Sequence, residues 1–213
     1  MFGRIFNQPL QQCLMNVTTS VRGSFDSVSL LIMLRINSIN KKTMVRRGIP
    51  VLVPYFQKLD GLILPRLLEV LSANVASVAQ FQVPPSTSID QRPHFTVRRY
   101  AELVTALCVL TSDYKHPEVV TSMNSLREEM VALIERLAQS VQASSKERKK
   151  KQLIFTITNL DLILSLLRDK QVVSTEAVIL EEKLEASISE LVNLQLHAFF
   201  HPLFNFVKST NDG

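Results

Sequence analysis

The sequence has little glycine and no tryptophan, and this shortage excludes several classes of protein. Its 213 residues include five glycines, which stand alone at positions 3, 23, 48, 61 and 213. Isolated glycines cannot build a glycine-rich phosphate-binding loop. So few glycines also argue against sheet-rich folds, which need many tight turns, and they favour long helices.

Cysteine is scarce as well. The two cysteines, Cys13 and Cys108, cannot form a disulfide framework. Both have apolar neighbours, as buried free thiols do, and a reducing cytosolic setting fits them. Cys108 lies close in sequence to Tyr114 and His116, which could suggest a nucleophile. Its position within an apolar stripe favours a core residue instead.

The N-terminus and the apolar stretches of the sequence predict neither a signal peptide nor a membrane-spanning segment. The N-terminus, MFGRIFNQPL, lacks the apolar segment of a signal peptide, so the sequon at Asn16 carries little weight. The strongest apolar stretch, VSLLIMLRI (28–36), contains Arg35 and is shorter than the about 20 residues that span a bilayer. These features predict a soluble chain.

Neither sign of charge dominates. The chain has 24 Lys and Arg against 19 Asp and Glu, a net charge of +5, and its charged fraction of 20% is typical of a globular protein. A dedicated nucleic-acid binder would concentrate its positive charge on one face. The one concentrated run is KERKKK (146–151), and it has no interleaved aromatic residues on which bases could stack. Nucleic acid is therefore not expected as a partner.

Apolar residues recur three and four positions apart through most of the chain, and no segment shows sustained alternation. A first helical stripe covers residues 10–40, with Gly23 inside it, and ends at KKTMVRRGIP. A second helix is predicted over residues 51–78, with Pro65 as an interior kink. The stripe over residues 10–40 comprises Leu10, Leu14, Val17, Val21, Phe25, Val28, Ile32, Ile36 and Ile39.

Four further helices are predicted in the rest of the chain. They start at about Thr96, Val119, Leu153 and Glu176. The seam of the fourth helix alternates steps of four and three, as in a heptad repeat. The fifth helix repeats that spacing. The seam of the fourth consists of Val119, Met123, Leu126, Met130, Leu133, Leu137 and Val141, and that of the fifth of Leu153, Ile157, Leu160, Leu164 and Leu167.

The predicted fold is all-α, an elongated helical bundle or rod of about six helices. Residues 1–80 form an N-terminal helical pair, FQVPPSTSIDQRP (81–93) is a linker, and residues 94–213 form a C-terminal bundle. We expect one continuous rod rather than independent domains.

No constellation of residues predicts catalysis. His197 and His201 are four residues apart, as in some zinc sites, but no third ligand is evident and their neighbours are phenylalanines. We interpret them as structural. We interpret the acidic residues of the later helices as lying on solvent-exposed helix faces. Arg127, Arg136 and Lys183 are nearby and could form ion pairs with them. The acidic residues are Glu128, Glu129, Glu135, Glu181, Glu182 and Glu185.

The basic run is the best candidate for a partner or membrane patch. Its cations could meet anionic lipid headgroups, at about 1 kcal/mol for each basic residue near the surface, or an acidic protein. The alternative is a solvated connection between helices. The candidate residues are Lys146, Arg148, Lys149, Lys150 and Lys151.

The stretch around Pro93 marks the end of the linker and the start of a helix. Pro93 disfavours helical conformation at Arg92, and Thr96 is the predicted N-cap. Arg98 and Arg99 have two interpretations, either hydrogen bonds that pack the linker back or a phosphate clamp. We prefer the first, because no other anion-binding element accompanies them.

Four segments of the chain also carry a family resemblance. DQRPHFTVRRYAEL (90–103), residues 34–78, KKKQLIFTITNLDLILSLL (149–167) and FFHPLFNFVK (199–208) resemble the C-terminal half of the vacuolar protein sorting-associated protein 52 family. The first segment is the most specific. Its signature residues, expected to be structural, are Asp90, Arg92, Pro93, His94, Arg98, Arg99 and Tyr100.

The resemblance implies a non-enzymatic subunit of a vesicle-tethering complex, the Golgi-associated retrograde protein complex or its endosomal counterpart, without a cofactor. Such a subunit acts in retrograde transport from endosomes to the trans-Golgi network. The implied partners are sister subunits, a Golgi Rab-type GTPase and SNARE proteins, with peripheral contact to Golgi and endosome membranes from the cytoplasm. The family's N-terminal coiled coil is missing here, so we expect either a fragment or different assembly contacts.

Two rival hypotheses remain from the residues alone. One is a helical module that binds anionic membrane or nucleic acid through residues 146–151. The other is a metal enzyme that uses His197 and His201.

Overall fold

A computed structural model describes residues 2–83, 92–171 and 173–211, and the side chains of residues 5–83, 92–144, 147–171 and 173–200. All of its regular structure is helical, and no strand occurs within these ranges. The all-α prediction is confirmed, with seven α-helices in the part of the chain that the structure describes rather than about six. They are α1 (Phe2–Arg22), α2 (Ser27–Arg46), α3 (Val53–Ala79), α4 (Phe95–Thr111), α5 (Pro117–Gln139), α6 (Ser145–Asp169) and α7 (Thr175–Asn211).

The first predicted stripe is wrong, because the chain breaks between α1 and α2. The break follows Gly23, and Asp26 caps the new helix by accepting hydrogen bonds from the amides of Val28 and Ser29, at 3.0 and 3.1 Å. A break of four residues loses the helical phase. Val21 is therefore buried, whereas Ile36, on the same predicted stripe, points outward.

The predicted end of α2 is confirmed. Gly48 has a positive φ of 71°, a left-handed conformation that glycine adopts without the penalty of a Cβ. The amide of Gly48 donates to the carbonyl of Val45 at 3.0 Å, and the amide of Ile49 donates to that of Met44 at 2.9 Å. These bonds satisfy carbonyls of the last turn and stop the helix.

The third helix is preceded by a short 3₁₀ helix, Pro50–Leu52, and continues through Pro65. Together they form the segment Pro50–Ala79, which is long and apolar enough to cross a membrane, with a mean hydropathy of 1.5 in its most apolar window. This corrects the choice of residues 28–36 as the strongest apolar stretch. Here α3 packs against α2 and α1, with Phe56, Ile63 and Leu67 buried. The core helix of a soluble protein passes the same test of length and composition but is mostly buried, whereas 22% of this window is buried.

The chain divides into two compact units. The first comprises Met1–Gln80 and Ala106–Leu126, and within it α3 packs against both α1 and α2. The second comprises Phe81–Thr105 and Arg127–Gly213, and within it α6 packs against α7. Most of the predicted linker, residues 84–91, lies outside the described residues.

The seams of α5 and α6 supply much of the core. All seven predicted residues of the α5 seam are buried, and Leu133 and Leu137 are fully so. On α6 Leu160, Leu164 and Leu167 are buried, and Ile157 is half-buried. The heptad-like spacing therefore identified the inward faces of both helices correctly.

The cysteine predictions have mixed outcomes. Cys108 is buried in α4, as expected for a core residue, but Cys13 is exposed on α1. The apolar sequence neighbours of Cys13 therefore did not predict its exposure.

Candidate functional site

The signature segment begins with His94, which caps α4. The helix starts at Phe95, one residue before the predicted N-cap, and the amide of Thr96 donates to Nδ1 of His94 at 3.3 Å. Thr96 as the N-cap is therefore wrong. Partial burial lowers the pKa of His94, because desolvation disfavours the charged imidazolium. A neutral imidazole can accept the hydrogen bond of the cap.

His94 is fixed from two sides. Its amide donates to Oδ1 of Asn159, 2.8 Å away, and Nδ2 of Asn159 donates to the carbonyl of Phe155 on the preceding turn of α6. Its ring lies against Phe81 and Phe95, with centroid distances of 5.6 and 4.4 Å. Asn159 is fully buried, so this pairing satisfies a polar group that would otherwise destabilise the core.

Tyr100 makes the second set of buried contacts of the signature segment. Its hydroxyl donates to Oε1 of Glu176 at 2.9 Å, and Arg127 donates to Oε2 of the same carboxylate at 2.7 Å. Arg127 is 7% exposed and Glu176 5%. The three side chains come from α4, α5 and α7, and we call them the buried polar triad. Arg127 was predicted as a partner of the neighbouring acidic residues, and it does lie 3.8 Å from Glu128, but it is buried and its shorter ion pair is with Glu176.

The arginines of the signature do not converge on an anion site. Arg98 and Arg99 are both exposed, and the guanidinium of Arg99 lies over the ring of Phe95, 5.7 Å from its centroid. A cation over an aromatic face stabilises the start of α4 modestly. Arg92 is exposed and Pro93 half-buried, whereas Asp90 lies outside the described residues.

The basic run forms the first turns of α6, so its interpretation as a connection between helices is wrong. Lys149 pairs with Glu190 of α7 at 2.7 Å, and Lys151 pairs with Glu147 at 3.5 Å. Arg148 and Lys150 are exposed. The side chain of Lys146 lies outside the described residues.

A metal site gains no support from the histidines. His197 is exposed on α7, and the side chain of His201 lies outside the described residues. Within the described side chains, no group of three or more His, Cys, Asp or Glu is placed to hold a metal ion.

An open hollow of about 340 Å³ lies between α5 and α7. Val131, Ala132 and Ile179 form its apolar wall. Its ionisable residues include Arg127, which is neutralised by Glu176, and Lys183, which lies 3.7 Å from Glu135. No serine, cysteine or histidine is among the described residues that line it, so it offers no nucleophile or general base of those types.

Three isoleucines of the first predicted stripe form an exposed apolar edge on α2. Ile32 is 38% exposed, and Ile36 and Ile39 are each 53% exposed. They lie on the side of α2 opposite Leu30, Leu34 and the other buried residues. The available signal was the loss of phase after Gly23, which separates these isoleucines from the stripe of α1.

The charge of the chain is also unevenly distributed along it. Residues 1–80 contain nine Lys or Arg and three Asp or Glu, a net charge of +6, whereas residues 81–213 contain 15 and 16, a net charge of −1. The mild excess of positive charge in the whole chain is therefore the sum of a strongly basic N-terminal part and a nearly neutral remainder. Cationic and apolar groups are exposed together on α2.

These features define an all-α protein whose described residues form exposed helical surfaces. The family model described as "Vps52, C-terminal" matches residues 1–192. The chain therefore belongs to the Vps52 C-terminal family, and the predicted resemblance is confirmed.

Curated relatives agree with the family match. Vacuolar protein sorting-associated protein 52 A of Arabidopsis thaliana is 27% identical over 209 residues, which cover 98% of this chain and 29% of the relative. The homolog of Homo sapiens is 25% identical over 98% of this chain and 28% of the relative. The homolog of Caenorhabditis elegans is 30% identical over 87% and 27%. The chain thus spans less than a third of the length of these relatives. No solved structure matches significantly.

Proposed function

We propose that this chain is a non-enzymatic part of a vesicle-tethering complex that acts in retrograde transport from endosomes to the trans-Golgi network. It would work from the cytoplasmic side of Golgi and endosome membranes. The observation that carries the proposal is the family match over residues 1–192, with relatives named as vacuolar protein sorting proteins.

The geometry supports a scaffolding role. The signature residues His94 and Tyr100 fix helices to one another, and the described surface presents helix faces. A scaffold holds its partners within reach of each other, and its binding energy comes from a few buried anchors in each interface. The proposed partners are sister tethering subunits, a Golgi Rab-type GTPase and SNARE proteins.

Affinity purification of the tagged chain from the cells that produce it, followed by quantitative mass spectrometry, tests this role. We expect enrichment of other tethering subunits, a Rab-type GTPase or SNAREs over a control variant, Leu133→Asp, whose core is disrupted. Recovery of none of these classes by a folded chain would contradict the proposal.

A second candidate function is peripheral contact with anionic membrane at the start of α6. The exposed cations Arg148 and Lys150 favour it. Replacing both by Glu leaves the ion pairs of Lys149 and Lys151 in place. The variant should lose co-sedimentation with phosphatidylserine vesicles, whereas Lys170→Glu, at the other end of α6, should retain it. Equal sedimentation of the two variants would remove this candidate.

A further inference from the structure

The outer face of α2 has the spacing of a helix-pairing seam. Ile32, Ile36 and Ile39 are separated by steps of four and three, and Thr43 continues the line by another step of four. Such spacing keeps one edge of a helix facing a neighbouring helix over several turns. The three isoleucines are exposed, and β-branched aliphatic side chains of this kind fill the holes of a paired helix well. We call this edge the isoleucine seam.

Within α2, one flank of the seam is cationic and the other is uncharged, and the C-cap residue Arg47 follows on the uncharged side. Helical periodicity places Arg35, Lys42 and Arg46 on one flank and Ser29 and Asn40 on the other. Lys42 and Arg46 are exposed, whereas Arg35 is half-buried and pairs with Asp113 at 2.8 Å. The flanking positions of a helix pair select its partner by charge.

The acidic residues of the N-terminal part are engaged elsewhere. Asp26 caps α2, Asp60 accepts a hydrogen bond from Asn37, and Glu69 pairs with Arg66 at 2.8 Å. Residues 1–80 contain no other Asp or Glu. The positive charge beside the seam therefore lacks acidic neighbours from this part of the chain.

From this placement we infer that the isoleucine seam binds an amphipathic helix of a partner protein whose apolar stripe is flanked by acidic side chains. A second copy of this chain fits poorly, because an antiparallel pair of seams would place like charges along one another and a parallel pair would leave the cationic flank without acidic side chains. A lipid surface also fits less well, since membrane-surface helices carry cations on their polar face and Trp, Phe or Leu on the other, whereas this seam has cations on one flank and no aromatic residue. This inference about the seam does not rest on the proposed tethering function.

Two synthetic peptides test this inference. Both carry four heptads with Ile and Leu on the apolar stripe, one with Glu and the other with Lys at the flanking positions. Their affinities for the whole chain are measured by fluorescence anisotropy at two salt concentrations. We expect the acidic peptide to bind at least about tenfold more tightly than the basic one, with a preference that weakens as salt rises.

Variants of the chain locate the binding. Ile36→Ser with Ile39→Ser should weaken the acidic peptide by about tenfold or more, because it removes the apolar anchors. Lys42→Glu with Arg46→Glu should reverse the preference between the peptides. Ile188→Ser with Val192→Ser replaces two exposed apolar residues of α7 and is the matched control, with no expected change. All variants should keep the helical circular dichroism of the parent, since the replaced residues are exposed.

Equal affinity for the two peptides, or acidic-peptide binding that survives loss of the isoleucines, would overturn the inference. Two other outcomes would reassign the seam. If the isoleucine variant alone abolished co-sedimentation with phosphatidylserine vesicles, the occupant would be a membrane. If it alone abolished dimerisation in analytical ultracentrifugation, the occupant would be a second copy.

Discussion

Helices α5 and α2 carry the same kind of sequence pattern but use it in opposite ways. On α5 the apolar residues three and four apart are buried, with Leu133 and Leu137 fully covered. On α2 the equivalent pattern of Ile32, Ile36 and Ile39 is exposed, while a second apolar edge with Leu30 and Leu34 is buried. Spacing therefore shows that a helix has an apolar edge, but it does not show what covers that edge.

The charged residues of the two helices also differ in burial. On α5 Arg127 is buried and paired with Glu176, so its charge is used inside the protein. On α2 Lys42 and Arg46 are exposed beside the isoleucine seam. The comparison separates a helix whose apolar edge and charge are used inside the protein from a helix whose outer edge is exposed.

The largest expected effect comes from breaking the buried polar triad. Glu176→Leu leaves the buried guanidinium of Arg127 without its carboxylate and should cost about 3–5 kcal/mol of unfolding free energy. Urea unfolding followed by circular dichroism measures it. The double variant Arg127→Met with Glu176→Leu should lie closer to the parent, because no unpaired charge stays buried. A double variant less stable than Glu176→Leu would contradict this account.

The matched control is an exposed pair between α6 and α7. Arg168 and Glu181 are 3.1 Å apart, with side chains 57% and 43% exposed. Glu181→Leu should cost less than about 1 kcal/mol, since water screens the pair and solvates Arg168 after the change.

The next effect compares the two apolar edges directly. Leu133→Ala should cost about 2–5 kcal/mol, because it leaves a cavity in the core. Ile36→Ala should change the free energy of unfolding by less than about 0.5 kcal/mol, as for surface substitutions in general. Unfolding of both variants under the same conditions provides the measurement. A similar loss for both would show that the isoleucine seam is covered within the chain.

A smaller loss of stability is expected from removing the cap of α2. This cap fixes where α2 begins and therefore which of its sides carries the isoleucines. Asp26→Ala removes the N-cap and should cost about 0.5–2 kcal/mol. Asp26→Asn keeps a capping side chain and should cost less than the alanine variant. Hydrogen bonds from Ser29 lower the pKa of Asp26, so the cap's contribution should disappear as pH falls through that lowered pKa. Equal unfolding free energies for Asp26→Ala and the parent would contradict the capping role.

The smallest effect is the pH dependence contributed by His94. Burial lowers its pKa in the folded chain, so the unfolded chain binds the proton more readily. Its contribution to stability is complete above the ordinary histidine pKa of about 6.5 and declines as pH falls below that value. His94→Asn retains a capping residue but cannot titrate there. Urea unfolding at pH 7.5 and 5.5 should show a shallower loss for this variant, and an equal loss would exclude His94 as the source.

The candidate surfaces were predictable only in part. The basic run was evident as a charge cluster, but its pairing of Lys149 with Glu190 required knowing that α6 packs on α7. Asn159 lies four residues from both Phe155 and Ile163, and a polar residue between apolar residues at this spacing indicates a buried polar contact. Glu176 was recognised only as the start of a helix.

The sequence alone determined the helices, most of their ends and the inward edges of α5 and α6, because helical hydrogen bonds and caps join residues only a few positions apart. Gly48 and Asp26 act through such local bonds. The tertiary structure decided which apolar edges are covered and which charges are paired. Tyr100 and Arg127 meet Glu176 from 76 and 49 residues away, and no local pattern encodes contacts over such separations. The exposure of the isoleucine seam has the same origin, since it depends on which helices pack against α2.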